Sequence, residues 1–281
     1  MHKLLSIIIP NRNNIKYLKR LADSINNQTN KDFEVIVVDD NSTDGSAHFF
    51  ETLIPSAKII KSTTWLSMGG ARNAGVKSAT SEYIYFVDSD DYLFNENAIE
   101  SIIKSLDGKD CYKVKTTIFN GKETASYQDK GWEQLTDLNR EQALQIGHAV
   151  WLNVYKRECF IDFPERQLLE DDVHFIEMID RCNSFGVIKS DNPIDVWDGS
   201  NPDQITKSMQ YFGSHPINLL EIPKTNFNDQ GLKDDFVSSV LRHTASMWDA
   251  RLRLKTPEAQ RAWYIQWKNI IMNLNSGILI H

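Results

Sequence analysis

The sequence predicts an α/β fold in which a mixed, mainly parallel sheet is flanked by helices and followed by a helical C-terminal extension. Two observations support this fold class. Short apolar segments alternate with amphipathic ones over residues 4–106, as in strands buried on both faces and the helices that cover them. Polar residues follow the apolar segments directly, and ligands of such sheets bind at the carboxyl ends of the strands.

The first part of the chain is predicted to alternate strand and helix. The apolar run at 4–10 is the first strand, and residues 14–28 carry their apolar positions at helical spacing. The later predicted elements are strand 33–40, helix 47–54, strand 57–62, helix 69–79, strand 83–90 and helix 97–106.

The pattern changes beyond residue 107. Residues 111–127 are predicted to form antiparallel strands around a turn at Asn120 and Gly121, because Asn-Gly is typical of a tight hairpin. The next predicted elements are helix 140–147, strand 149–160, helix 168–182, a strand-like segment at 185–199 and helices from about 229. Gly, Pro and Asn residues collect at 213–230, where we predict the boundary of the extension.

Composition and charge exclude several classes of protein. The net charge of −7 argues against a nucleic-acid binder. Cys111, Cys159 and Cys182 provide neither a disulfide framework nor paired zinc ligands. The apolar run near the N-terminus is short for a signal peptide, and no run approaches the ~20 residues that span a bilayer. We therefore expect a cytoplasmic protein, with attachment to a membrane surface left open.

Three carboxylates, Asp88, Asp90 and Asp91, follow the apolar run of residues 83–87. Like charges this close repel each other unless they face water at a turn or hold a cation. Carboxylate oxygens suit hard divalent cations, which neutralise the charge of a diphosphate. The alternative is an acidic cap of the next helix, but the position after an apolar strand favours the metal site.

A second acidic pair, Asp39 and Asp40, ends the second predicted strand. A carboxylate at that point accepts hydrogen bonds from a base N–H or from ribose hydroxyls. With Asp44, the same residues equally well shape the turn and cap the next helix. A receiver domain has a similar pair, but in a much shorter chain and at the first strand.

The segment that opens the third predicted helix combines small residues with an arginine. Gly69, Gly70 and Ala71 let a backbone approach a ligand closely. Arg72 is a planar cation suited to phosphate or to pairing with Asp88. The alternative is a tight loop with a surface arginine. The fingerprint G-x-G-x-x-G is absent from the sequence, which disfavours a dinucleotide-binding fold.

Three acids, Glu170, Asp171 and Asp172, crowd the start of a predicted helix. The helix dipole favours negative charge there, so surface acids are the structural alternative. The functional interpretation is that one of them is a general base, rigidly aimed at an attacking hydroxyl. The histidines are scattered and are interpreted as surface or packing residues. His215 has the strongest claim to a ligand role because it follows a Ser/Gly segment.

Together, five motifs resemble the family 2 glycosyltransferases, which have the GT-A fold. The motifs are SIIIPNRNN with YL following, FEVIVVDDNSTDGS, GGARNAGVKSATSEYIYFVDSDD, EDDVHF and NPDQITKS, and the resemblance covers most of residues 3–210. It implies a GT-A domain at 1–212, with a nucleotide-binding half at 1–107 and an acceptor-side half at 108–212, before the extension at 213–281.

The resemblance also implies the activity. Members are typically inverting enzymes that take a sugar from a nucleotide-sugar donor, here a UDP-sugar by preference, with a divalent cation, Mn²⁺ or Mg²⁺, as cofactor. The acceptor would be a hydroxyl of a glycan, a polymer or a lipid-linked molecule. The tail from 229 to 281 would pack on the core or mediate a homo-oligomer contact, with a membrane-surface patch as the alternative.

Donor-binding roles follow for the positions that match the family motifs. Asp40 would contact the uracil edge, and Thr206 and Lys207 would lie near phosphate in a mobile loop. Arg12 stands where the family usually carries an aromatic residue, which changes how a base is stacked. The full donor-binding set is Pro10, Asn11, Arg12, Asn13, Asp40, Gly70, Arg72, Asp88, Ser89, Thr206 and Lys207.

The metal and the catalytic base are assigned in the same way. Asp90 would be the principal metal ligand, together with Asp88, and His215 is a further candidate. Asp172 best matches the catalytic base, because the family pattern places a phenylalanine three positions later, and Asp171 is the fallback.

One departure concerns the diphosphate. Many relatives carry an arginine or histidine shortly before the mobile loop, and Asp198 stands near that position here.

Two rival classes stay open at this point. A sugar-phosphate nucleotidyltransferase should show a glycine-rich basic loop after its first strand, and PNRNNIKYL is not such a loop. A non-catalytic nucleotide-binding or carbohydrate-binding protein would keep the crevice without a working base.

Overall fold

The structure, a computed structural model, describes residues 3–126, 132–146, 149–164 and 170–202. The strands in these ranges are β1 (Leu5–Asn11), β2 (Phe33–Asp39), β3 (Lys58–Lys61), β4 (Tyr83–Phe86), β5 (Tyr92–Leu93), β6 (Cys111–Lys113), β7 (Thr116–Phe119), β8 (Thr124–Ser126), β9 (Asp137–Leu138), β10 (Asn153–Lys156), β11 (Phe185–Val187) and β12 (Asp195–Asp198). The α-helices are α1 (Ile15–Asn26), α2 (Ser46–Leu53), α3 (Ser67–Ser78), α4 (Ala98–Ser105), α5 (Arg140–Ile146) and α6 (Glu170–Arg181).

The first four strands form a parallel sheet in the order β3-β2-β1-β4. All seven residues of β1 are buried, as expected for a central strand covered on both faces. Ile7 and Ile9 pack with Leu18 and Leu21 of α1. Ile8 faces the opposite side and belongs to the cluster that includes α3 and α6. The predicted parallel sheet with helices on both faces is confirmed.

Helix α3 lies very close to β1 because Gly75 has no side chain. A Cβ atom added at Gly75 would lie 2.3 Å from Cγ2 of Ile8, far inside van der Waals contact. Arg72, one turn earlier in α3, is buried with this helix. The close approach therefore fixes the height of Arg72 above the sheet.

The second part of the chain extends the same sheet. Strand β10 pairs antiparallel to both β4 and β6, and the order continues as β6-β11-β9. Strands from both 1–107 and 108–202 thus take part in one eight-stranded sheet. The mixed and mainly parallel α/β fold predicted from the sequence is confirmed.

The prediction for residues 111–127 was correct for one hairpin and wrong for its first strand. Strands β7 and β8 pair antiparallel around Gly121, whose φ is +92°. Strand β6 instead lies in the large sheet, between β10 and β11. The strand-like segment at 185–199 is likewise two strands, because β11 joins the large sheet and β12 joins a four-stranded sheet with β5, β7 and β8.

Several sequence-based assignments lie outside the described residues. These are Thr206, Lys207, His215, the predicted boundary at 213–230 and the helical extension. Within the described part of the chain, no helix has the length and apolar character needed to cross a membrane.

Candidate active site

Asn11, the last residue of β1, is bound to the end of β2. Its buried side chain donates from Nδ2 to Oδ1 of Asp39 at 2.8 Å and to Oγ of Ser42 at 3.3 Å. Oδ2 of Asp39 accepts from the backbone N–H of Ser42 at 3.1 Å. Asp39 therefore fixes the turn after β2. Pro10 precedes Asn11 as a buried residue of β1.

Asp40 lies next to this turn and binds the loop that leads into α3. Oδ1 accepts from the backbone N–H of Leu66 at 2.5 Å, and Oδ2 accepts from that of Ser67 at 3.1 Å. The guanidinium of Arg12 lies 3.7 Å from Oδ2 and is itself exposed. Since each carboxylate oxygen has two lone pairs, Asp40 retains capacity to accept a further hydrogen bond.

Asn13 connects the end of β1 to the turn after β2. Its φ of 54° lies in the left-handed region, which asparagine tolerates better than most residues. Its Oδ1 accepts from the N–H of Thr43 at 2.8 Å, and its own N–H donates to Oγ of Ser42 at 3.0 Å. The segments after β1 and β2 therefore form one surface at the carboxyl ends of these strands.

Arg72 is buried and contacts two carboxylates that are far apart in sequence. Its Nη2 donates to Oδ1 of Asp88 at 3.0 Å, and its Nη1 forms an ion pair with Oε1 of Glu170. Burial opposes the charged form, but Asp88 and then Glu170 raise the pKa of Arg72. Arg72 therefore stays protonated and joins the turn after β4 to the start of α6.

Small residues at the start of α3 allow this arrangement. A Cβ atom added at Gly69 would lie 2.8 Å from the carbonyl oxygen of Pro164 and 3.1 Å from Cγ of Glu170. Gly70, the next residue, is also buried in the first turn of α3. The absence of a side chain at Gly69 thus lets α3 approach the start of α6 closely.

The turn after β4 holds the other acidic residues. Asp90 is half-buried, and burial together with the negative charge of Asp88 raises its pKa. Asp91 is buried, and burial followed by the charges of Asp90 and Asp88 raises its pKa well above the usual range. Ser89 is buried, and its Oγ accepts from Nδ2 of Asn14 at 2.7 Å. The turn therefore concentrates negative charge that its neighbours offset incompletely.

Helix α1 supports this turn through Arg20, which sequence reasoning missed. Arg20 Nη2 donates to the backbone oxygen of Asp90 at 2.9 Å and pairs with Oδ2 of Asp198 at 2.5 Å. The backbone N–H of Asp198 donates to Oδ1 of Asp91 at 2.8 Å. Although burial acts in the opposite direction, hydrogen bonds from Ser200 and Arg20 lower the pKa of Asp198. Asp198 is thus paired with a cation from α1.

Asn201 links the Asp90 side chain to α1. Its Nδ2 donates to Oδ2 of Asp90 at 2.7 Å, and its Oδ1 accepts from the hydroxyl of Tyr17 at 2.6 Å. Tyr17 and Arg20 lie three positions apart on one face of the helix. These contacts join residues separated by 111 and 184 positions, so no local sequence pattern could have revealed them.

The three acids at the start of α6 differ in their surroundings. Glu170 is buried against Arg72, and burial raises its pKa in spite of that positive charge. Asp171 is half-buried, and the structure describes Asp172 only as a position in the first turn of α6. His174 and Phe175 are buried in the core. Glu170 is therefore committed to Arg72, which leaves Asp171 and Asp172 as candidates for the base.

The acidic turn suits a divalent cation in its donor atoms. Asp88 and Asp90 offer hard carboxylate oxygens, and the charge of Asp88 raises the pKa of Asp90, a repulsion that a cation would relieve. Within the described ranges, no three His, Cys, Asp or Glu side chains come together as a metal-binding group. A cation at this turn would therefore take further oxygens from a bound ligand or from water.

Comparisons with known proteins identify the family and the fold of the chain. A model of the family described as Glycosyl transferase family 2 matches residues 6–158, more than half of the chain. The chain belongs to glycosyl transferase family 2. The matched region contains all of β1 except its first residue, the acidic turn after β4 and strand β10.

Curated relatives are glycosyltransferases that share parts of the chain. Glycosyltransferase GlyG of Streptococcus pneumoniae is 34% identical over 123 residues, which are 43% of this chain and 40% of GlyG. The uncharacterized glycosyltransferase EpsJ of Bacillus subtilis is 26% identical over 260 residues, which are 85% of this chain and 70% of EpsJ. The chain thus spans less than half the length of GlyG.

A solved structure shows the fold. The structure of Staphylococcus aureus TarS residues 1–349 in complex with UDP-GlcNAc has a TM-score of 0.79, is 23% identical, and covers 95% of this chain and 80% of that chain. In sequence, TarS is named a poly(ribitol-phosphate) β-N-acetylglucosaminyltransferase and is 38% identical over 96 residues, 32% of this chain and 17% of TarS. The structural similarity shows that this chain has the GT-A fold.

Proposed function

We propose that the protein transfers a sugar from a nucleoside-diphosphate donor, a UDP-sugar by preference, to a hydroxyl of a glycan, polymer or lipid-linked acceptor. The observation that carries the proposal is the contact of buried Arg72 with Asp88 and Glu170. It joins the acidic turn that suits a metal-bound diphosphate to the helix that bears the candidate base. Family membership and the carboxyl-end position of the site support the same assignment.

The donor would bind across the carboxyl ends of β1, β2 and β4. The surface of Pro10, Asn11, Arg12 and Asn13 would take the base, and the free acceptor capacity of Asp40 would take an N–H of the base. Asp88 and Asp90 would hold Mn²⁺ or Mg²⁺, which stabilises the charge of the leaving diphosphate when bound. Arg72 orients Asp88 by a charge-assisted hydrogen bond.

The base would act from the first turn of α6. Asp172, or Asp171 in its place, would remove the proton of the acceptor hydroxyl as the oxygen attacks the anomeric carbon. The new C–O bond would form on the face opposite to the bond that breaks, and the diphosphate would leave with that electron pair. The sugar would therefore invert its configuration.

The donor and acceptor classes rest on relatives. TarS forms complexes with UDP-GlcNAc and with UDP, and its name assigns it a poly(ribitol-phosphate) acceptor. A mannosyltransferase of the same fold from Pyrobaculum calidifontis, with a TM-score of 0.59, binds GDP-mannose and Mn²⁺. We therefore propose a UDP-sugar as the first donor to test and a polyol-phosphate polymer as the first acceptor.

The test is a transfer assay. The protein would be incubated with UDP-GlcNAc, UDP-glucose and GDP-mannose, each with Mn²⁺ or with a chelator, and with poly(ribitol phosphate) or an oligosaccharide. We expect release of UDP that depends on both the metal and an acceptor, and its loss in Asp172→Asn. Nucleotide binding without transfer or donor hydrolysis would favour a non-catalytic binding protein instead.

Three further expectations stay predictions of the sequence. They are a cytoplasmic location, contact with a membrane surface, and self-association through residues 213–281, which lie outside the described part of the chain.

A further inference from the structure

Trp65 is the most exposed large hydrophobic side chain among the described residues. Its exposed fraction is 52%, compared with 39% for Met68 and 37% for Ile15 and Phe94. A single exposed aromatic is common on protein surfaces. The surroundings of Trp65 distinguish it from such a residue, because they combine a planar cation with a buried hydrogen-bond acceptor.

Arg12 connects Trp65 to the carboxyl ends of the strands. The Cζ atom of Arg12 lies 5.7 Å from the centroid of the Trp65 ring. The Nη1 atom of the same guanidinium lies 3.7 Å from Oδ2 of Asp40. Two flat, exposed side chains therefore stand next to a buried carboxylate, on the surface formed by the ends of β1 and β2.

The loop that carries Trp65 is fixed at both ends. Before it, the backbone N–H of Ser62 donates to the carbonyl oxygen of Asp39 at 2.9 Å. After it, the N–H groups of Leu66 and Ser67 donate to the carboxylate of Asp40, and Ser67 has a φ of +76°. The position of Trp65 is thus determined by Asp39 and Asp40, and a surface that is already ordered loses little entropy when it binds a ligand.

The Arg12–Trp65 contact itself is weak enough to admit a ligand. An exposed cation–π pair contributes modestly, and both side chains present a face to solvent. A planar ring that covers Trp65 gains a stacking partner, and guanidinium groups also stack on such rings. The free acceptor capacity of Asp40 selects a ring whose edge carries an N–H group.

We propose that Trp65 is the stacking residue for the base of the nucleotide donor, working with Arg12 and with Asp40 at the base edge. This inference rests on the proposed function, because it assumes a nucleoside-diphosphate donor. Trp65 supplies an aromatic surface from the loop before α3, and Arg12 approaches it from the segment after β1.

The test compares nucleotide affinities by calorimetry in the presence of Mn²⁺. Trp65→Leu keeps an apolar side chain but removes the aromatic ring, and Trp65→Phe keeps a smaller ring. Met68→Leu, three positions along the chain, is the matched control. The ligands are UDP, inorganic pyrophosphate and 5,6-dihydrouridine diphosphate. The last ligand keeps the N–H edge but has a non-planar base.

We expect Trp65→Leu to weaken UDP binding by about tenfold, the usual size of one stacking contact. Trp65→Phe should recover most of that loss, and Met68→Leu should bind UDP as the wild type does. Pyrophosphate affinity should be the same in all four proteins. The wild type should prefer UDP to the dihydro compound, and Trp65→Leu should not distinguish them.

Two results separate the inference from the function on which it rests. Equal UDP affinity in Trp65→Leu and the wild type, or an unchanged preference for the planar base, would overturn the role of Trp65 and leave the proposed function standing. Failure of the wild type to bind any of the three ligands would overturn both.

Discussion

The two acidic segments of the site, residues 88–91 and 170–172, balance their charge in different ways. The first lies in a turn after a buried strand, and side chains from distant elements approach it: Arg72 from α3, Arg20 from α1 and Asn201 after β12. The second lies in the first turn of α6, where the backbone N–H groups already favour negative charge.

The difference indicates separate tasks. Burial, together with the negative charge of Asp88, raises the pKa of Asp90 in the first segment, and a bound cation would offset both effects. In the second segment Glu170 is committed to Arg72, and we propose that one of the two acids that follow it is the base. Within the described residues, Arg72 bonds to both segments and holds them in one site.

The largest predicted effect separates the acids of the second segment. Asp172→Asn should lower kcat by about 10²–10⁴-fold, the usual contribution of a general base, with UDP affinity unchanged. Asp171→Asn should lower kcat much less. Steady-state kinetics and UDP titrations of both variants would check this. Full activity in Asp172→Asn with a large loss in Asp171→Asn would reassign the base to Asp171.

Breaking the link between the segments should destabilise the fold. Arg72→Met leaves buried Glu170 and half-buried Asp88 without their cation, and removing one partner of a buried pair costs about 3–5 kcal/mol. Lys77→Met on the same helix is the control, because it removes an ion pair with Asp162 whose side chains are 63% and 55% exposed and should cost less than about 1 kcal/mol. Urea unfolding measures both, and equal costs would show that Arg72 is not a buried link.

Acid should lower the stability of the protein through His174, which follows the second segment in α6. Burial lowers the pKa of His174 to about 3, so the unfolded chain binds a proton more readily below its ordinary value of ~6.5. Stability should therefore fall as pH drops from about 6.5 towards 3, by up to about 1.4 kcal/mol per pH unit from this group. The neutral ring donates from Nε2 to the carbonyl oxygen of Ile161 at 2.9 Å and stacks on Phe163.

His174→Phe is the matched variant for this pH dependence. It keeps a flat ring against Phe163 but cannot bind a proton. Urea midpoints measured between pH 5 and 8 should vary less with pH in the variant than in the wild type. An unchanged pH profile would show that other groups determine the acid sensitivity.

The smallest predicted effect tests the close approach of α3 to β1, which positions Arg72 beside the first segment. Gly75→Ala should cost about 1–3 kcal/mol through overpacking against Ile8, although alanine favours helices over glycine. The cost should shrink in an Ile8→Ala background, because the contacting methyl group is gone. Urea unfolding of the four proteins in this cycle would check it, and the same cost in both backgrounds would contradict the close approach of α3 to β1.

The sequence predicted the first half of the fold better than the second. In the parallel part, β1, β2 and β4 are mostly apolar and their polar ends fall at one edge, so Asn11, Asp40 and Asp88 could be predicted to lie at the same edge. In the second part, a short link carries the chain from β6 in one sheet to β7 in another. Strands of three or four residues give no periodicity that distinguishes the two sheets.

Site residues outside the motifs could not be predicted for a related physical reason. Arg20 and Asn201 act through contacts across much of the chain, and a local pattern carries no information on such pairs. Trp65 did leave a signal, since it is a large aromatic residue in a polar loop two positions before Ser67. The polar context of Trp65 predicts that its ring is exposed, whereas its contact with Arg12 is visible only in the folded chain.

The most direct test of the account is whether the acidic turn after β4 binds a metal together with a diphosphate. Calorimetric titration of UDP into the wild type and into Asp90→Asn, each with Mn²⁺ and with a chelator, measures this. We predict that Mn²⁺ strengthens UDP binding to the wild type and has little effect on Asp90→Asn. Equal UDP affinity with Mn²⁺ and with the chelator in the wild type would contradict the account and return these carboxylates to a structural role in the turn.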